Sequence, residues 1–120
     1  MILKQISVFV ENRYGAIRDI TKILADAGIN IRALSVADTT DFGVVRMIVD
    51  KRKPALKALR ENGMTVKETD VIALVSDDRP GSLYKALCLL AENEILVEYS
   101  YGFVSPMGDG ALSHAAVVVT

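Results

Sequence analysis

Six residues, Asn12-Arg13-Tyr14-Gly15-Ala16-Ile17, are echoed 66 positions later (78 minus 12) by Asp78-Arg79-Pro80-Gly81-Ser82-Leu83, and the flanking apolar positions keep the same offset. Each copy follows a β-patterned run and opens an amphipathic helix, so the chain reads as one unit written twice. With 120 residues in all, each unit has only about 60 residues and is marginal alone. Two such units are expected to pack on each other.

In the first unit, Ile2, Ile6, Val8 and Val10 share one parity, with Lys4 as the exception, while Gln5, Ser7 and Glu11 hold the other. That alternation predicts a half-buried strand. Ile17, Ile20, Ile23, Leu24 and Ala27 then recur at helical spacing while Arg18, Asp19, Lys22 and Asp26 face elsewhere, and Gly28 suits a left-handed cap. Ile29 to Ala37 and Gly43 to Val49 predict a hairpin across Asp38-Thr39-Thr40-Asp41. Pro54 suits the first turn of a second helix with Leu56 and Leu59 as its stripe; Asn62-Gly63 ends it, and Met64 to Thr69 is a last strand.

This order predicts an α+β, ferredoxin-like βαββαβ fold: an antiparallel sheet with both helices on one face and the other face open. Residues 1–69 form the first domain. Asp70 alone separates it from a second, 70–120, which repeats a strand, a helix (Leu83, Ala86, Leu87, Leu90, Ala91) and two strands, Ile95 to Phe103 and Ala111 to Val119. The second repeat thus lacks the last helix and strand. A strand edge and a helix-sized apolar area should stay exposed, to be covered by another protomer unless the chain is a shortened form of a longer one.

Composition removes several function classes. The formal net charge is −1, so nothing draws the chain generally to nucleic acid or to an anionic membrane. Lys51-Arg52-Lys53, before Pro54, reads as a solvated turn. RNA-recognition modules share the element order but stack bases on strand aromatics, and Val44 to Val49 has none. One cysteine, Cys88 in Leu87-Cys88-Leu89-Leu90, excludes an internal disulfide and reads as a small buried hydrophobe. The sole histidine, His114, has no nucleophile elbow, HExxH or carboxylate cluster near it in sequence, so neither an enzyme nor a metal or cofactor site is expected. With no signal-like N-terminus and no apolar run near the roughly 20 residues of a membrane span, the expected location is the cytoplasm.

A glycine between strand and helix start presents free backbone N–H groups and the positive end of a helix dipole, which suits a carboxylate or phosphate. It equally serves a tight turn alone. Both readings stay open for Gly15 and Gly81. Asn30 likewise reads either as a ligand contact, able to donate and accept, or as a helix-to-strand turn residue.

The pattern of strand, Asp78-Arg79-Pro80-Gly81-Ser82-Leu83, amphipathic helix, then Ile29-Asn30-Ile31 or Ile95-Leu96-Val97 entering a strand resembles the ACT domain, here in tandem with a truncated second copy. The resemblance implies a non-catalytic regulatory module that binds an amino acid or related small metabolite between adjacent units, and a homodimer or higher oligomer. It implies ligand contacts at Asn12, Arg13, Tyr14, Gly15 and Ala16, at Asp78, Arg79, Pro80, Gly81, Ser82 and Leu83, and at Asn30. Tyr14 departs from the proline usual in that loop, and Leu96 from the polar residue that Asn30 keeps. One competent site, pairing the Asp78 loop with Asn30, and one degenerate site are therefore expected. The alternative is an assembly module that dimerises through its sheets without a ligand.

Overall fold

The computed structural model describes residues 2–38, 42–77, 79–104 and 112–119. Its elements are β1 (Ile2–Glu11), α1 (Ala16–Asp26), β2 (Ile31–Asp38), β3 (Phe42–Val49), α2 (Arg52–Glu61), β4 (Thr65–Ser76), α3 (Ser82–Glu92), β5 (Leu96–Val104) and β6 (Leu112–Val119). The chain divides into two compact units, one of residues Lys4–Thr69 and one of the chain from Asp70 onward with the start of β1.

The first unit is the βαββαβ arrangement with strands ordered β2-β3-β1-β4. β3 runs antiparallel to both neighbours, with Ile6 opposite Met47 and Val8 opposite Val45 across the β1 pair. Those four side chains point to one face, where they meet Ile20 and Leu24 of α1 and Ala55, Leu56 and Leu59 of α2 in a single buried cluster. Both helices therefore lie on that face. Burying a leucine fully, as at Leu24 and Leu59, contributes about 1.5–3 kcal/mol.

The second face is not open as the alternation predicts. Gln5 and Ser7 are buried there, as are Ala33 and Ile48. β1 is flanked by β3 and β4, and Gln5 has a polar partner, so its amide can be buried without an unsatisfied group.

Two boundaries also differ from expectation. α2 begins at Arg52, ahead of Pro54, and its first bond runs from the Ala55 amide to the Lys51 carbonyl at 3.1 Å. Proline is tolerated there because first-turn amides need no intrahelical acceptor. Arg52 and Lys53 are therefore helical rather than part of a turn. β4 runs unbroken through Asp70, since one exposed Asp can point outward without interrupting backbone pairing.

In the second unit the order is β4-β6-β5, with β6 antiparallel to both neighbours. Val97, Tyr99 and Tyr101 are partly buried while Leu96, Glu98 and Ser100 are exposed, the expected alternation.

The three described helices stop in the same way. The Ile29, Met64 and Ile95 amides donate to the Leu24, Leu59 and Leu90 carbonyls, and the Gly28, Gly63 and Glu94 amides donate to those of Ala25, Arg60 and Ala91. This double bond closure requires a left-handed residue after the cap. Gly28 and Gly63 supply it at φ 73° and 78°, and Glu94 adopts it at φ 58° despite its side chain.

Candidate functional site

The two strand-to-helix loops share one backbone design at the 66-residue offset. Gly15 and Gly81 cap their helices at φ 82° and 86°. The amides of Ala16 and Ser82 donate to the carbonyls of Arg13 and Arg79, and the first intrahelical bonds run from Asp19 to Gly15 (2.9 Å) and from Lys85 to Gly81 (3.1 Å). No side chain caps either helix. Each helix start therefore has first-turn N–H groups with no intrahelical acceptor and the positive end of the dipole.

The side chains around these starts differ in charge. At the first, Asp19 stands in the opening turn and accepts from Arg13 Nη2 at 3.0 Å and from Arg18 Nη2 at 3.3 Å. The Arg13 hydrogen bond, reinforced by Arg18, holds the Asp19 carboxyl below its ordinary range. Arg13 also donates to the Tyr14 carbonyl, while the Tyr14 side chain is fully exposed. A carboxylate of the protein already occupies the charge environment that an anionic ligand would seek.

At the second start Lys85 takes the place of Asp19, and the first turn of α3 carries no acid. Arg79 pairs with Asp77. A shallow concavity of about 320 Å³ opens here, its wall including Arg79, Ser82, Lys85, Ala86 and Leu89. It offers two cations (Arg79 and Lys85), two hydroxyls (Ser76 and Ser82) and an apolar side, with Asp77 the one carboxylate among the described residues that line it.

Of the sequence-predicted residues, Asn12 to Gly15 lie on the first loop and Ala16 is buried at the helix start. The Asn12 Oδ1 stands 3.1 Å from where a Cβ on Gly43 of β3 would lie, so a glycine there makes room for it. Arg79, Pro80 and Gly81 are exposed and Ser82 half-buried on the second loop, and Leu83 begins the outer side of α3. Asp78 lies outside the described residues. Asn30 precedes β2; its amide donates to Asp50 Oδ1 at 2.9 Å and its carbonyl accepts from the Asp50 amide at 3.1 Å. This reciprocal bond fits the turn reading of Asn30's backbone.

Lys85 and Asp77 were not singled out from sequence. The signal for Lys85 was there, since the repeat offset aligns it with Asp19 in the first helical turn. A second groove of about 420 Å³ runs along α2, where Arg52, Lys53, Lys57 and Arg60 face Glu61 and Glu68. Arg52 pairs with Glu68, and Lys57 Nζ lies 3.9 Å from Glu61. Among the described residues no group of three or more His, Cys, Asp or Glu could hold a metal ion, and no helix is long and apolar enough to cross a membrane.

A family model described as an ACT domain pair matches residues 1–114. Among solved structures, protein BT0572 from Bacteroides thetaiotaomicron is 34% identical over all of this chain and 81% of its own, with a TM-score of 0.90. The regulatory subunit of aspartate kinase from Thermus thermophilus, in its ligand-free form, is 16% identical over 96% of this chain and 82% of its own, with a TM-score of 0.69. That from Thermus flavus is 14% identical over 96% and 81%, with a TM-score of 0.63. These last two likenesses are of fold. No curated protein matches.

Proposed function

Because the chain belongs to the ACT domain pair family, we propose that it is a non-catalytic regulatory module whose second loop, at the start of α3, binds a small carboxylate-bearing metabolite of the amino-acid class. The observation that carries this is the charge difference between two otherwise matching helix starts. Asp19 fills the first with protein charge, whereas Lys85 and Ser82 leave the second receptive. The ligand carboxylate would take the Leu83 and Tyr84 amides, which have no intrahelical acceptor, and the Lys85 ammonium, while the apolar side at Ala86 and Leu89 accepts its carbon chain. Regulatory subunits of aspartate kinase share the fold, in keeping with a module that reports ligand through a partner or a change of oligomer. The mechanism is differential affinity: ligand shifts the population towards the arrangement that binds it better.

Thermal-shift and calorimetric screens of the proteinogenic amino acids test this. A native-state ligand at a hundredfold excess over its Kd raises stability by about 2.7 kcal/mol. Lys85→Asp, which gives the second start the first one's carboxylate, should abolish the shift, and Arg79→Ala should weaken it. Asn30→Leu tests the contribution expected of that residue to the same ligand. Binding undiminished in Lys85→Asp would sink the assignment of the second loop. The assembly-module alternative has its own support in the apolar outer side of α3.

A further inference from the structure

Residues 51–60 hold five of the chain's 14 cations, Lys51, Arg52, Lys53, Lys57 and Arg60, and none of its 15 acids. The net charge of the chain is −1, so everything outside this segment sums to −6 (−1 minus +5). Because α2 begins at Arg52, ahead of Pro54, Lys53, Lys57 and Arg60 fall at i, i+4 and i+7 and form one stripe along the helix. All three are exposed, and they line the groove of about 420 Å³ whose acids are Glu61 and Glu68.

Helix stability works against this arrangement. Cations in a first turn oppose the helix dipole, like charges four residues apart repel, and α2 has no acid in its first turn. α1 of the same unit is built the other way, with Asp19 in its first turn and Lys22 paired to Asp26 at 2.6 Å. The two acids at the groove are already engaged, Glu68 by Arg52 and Glu61 by Lys57 at 3.9 Å. No ion pair among the described residues engages Lys53 or Arg60.

We infer that the stripe of Lys53, Lys57 and Arg60 docks a short, carboxylate-rich segment of another protein. Charge and length select this occupant. The 10 residues of α2 extend about 15 Å, and the cations stand one turn apart, about 5–6 Å between Cβ atoms. Acidic side chains on one face of a helix, or on alternate residues of an extended segment, match that spacing. A nucleic acid fits less well, since its phosphates run past the helix in both directions over a chain that is otherwise net negative, and no aromatic lines the groove to stack a base. Leu56, the one apolar residue of the groove, is buried, so recognition is by charge and weakens with salt.

This names the chemistry of the partner through which the proposed regulatory module acts, and rests on that reading only for its purpose. Docking is tested without any amino acid, so its failure and a failure of ligand binding are read separately. A fluorescein-labelled hexaglutamate peptide should bind by anisotropy at about 20 mM salt and at least tenfold more weakly at about 200 mM. It should shift the amide NMR signals of residues 51–68 and spare those of α1 and α3. Lys53→Glu/Arg60→Glu should weaken binding about tenfold or more, while Lys22→Ala on α1 should leave it unchanged. Lys53→Glu alone should keep or raise the melting temperature, because it sets an acid in the first turn and four residues before Lys57; its loss of binding is then no loss of fold. No binding of the peptide, amide shifts centred elsewhere, a double variant that binds as well as the parent, a lowered melting temperature in Lys53→Glu, or an oligothymidylate of equal length bound more tightly than the peptide would each overturn the proposal.

Discussion

Glu94 stands where Gly28 stands in the other repeat, at the left-handed position that closes a helix, with φ 58° against 73°. This is a matched pair within one chain, and it allows a substitution to be worked in both directions. A Cβ added at Gly28 would meet nothing within 4 Å, so Gly28→Ala involves no clash and its cost is backbone alone. The left-handed conformation costs a side-chain-bearing residue about 1–2 kcal/mol, and the stiffer unfolded chain returns about 0.4–1 kcal/mol. Gly28→Ala should therefore lose about 1 kcal/mol, and Glu94→Gly should gain slightly less than 1 kcal/mol by the same terms reversed. In urea, with a slope of roughly 2 kcal/mol per molar, the midpoints should move by about 0.5 M in opposite directions with slopes unchanged. The melting temperature should shift by about 3–5 °C. A Glu94→Gly protein that is neutral or less stable would refute the reasoning, because it would mean that the Glu94 side chain contributes more than its backbone costs.

Asp19 predicts a pH effect of definite sign. Its folded pKa is depressed, mainly by the Arg13 hydrogen bond, so its contribution is complete above the ordinary carboxylate range and is lost as pH falls through the depressed value. Carboxyl NMR should place it below the ordinary aspartate value, and Arg13→Ala should move it upward; no movement would assign the shift to another cause. Leu24→Ala, in the buried cluster, should cost about 2–5 kcal/mol, whereas Leu89→Ala, at 62% exposure, should stay within about 0.5 kcal/mol in the monomer; equal losses in denaturant melts would contradict the packing described.

Much of this protein was legible in its residues because the relevant physics is local. The strand alternation of β1, the helical recurrence of Ile20 and Leu24, and glycine at the two helix starts each reflect short-range geometry, and their recurrence at one offset carried the duplicated α+β plan. Errors fell where distant chain intervenes. Gln5 and Ser7 read as an exposed parity, yet their exposure depends on what covers the sheet. Arg52 and Lys53 read as part of a solvated turn, yet they open the helix ahead of Pro54, which keeps its expected place in the first turn because first-turn amides tolerate proline. Asp70 read as a break between two strands, yet the single strand β4 runs through it.

The candidate site divides along the same line. Local sequence determined the left-handed glycines and the helix starts with their free amides, since φ and the first hydrogen bonds depend on a few adjacent residues. That Arg13 holds Asp19, that Lys85 with Leu89 walls a concavity, and that the outer side of α3 stays exposed while Leu90 is buried were decided by the tertiary structure. Charge pairing and exposure depend on which side chains the folded chain brings within a few ångströms, and adjacency along the sequence does not specify that.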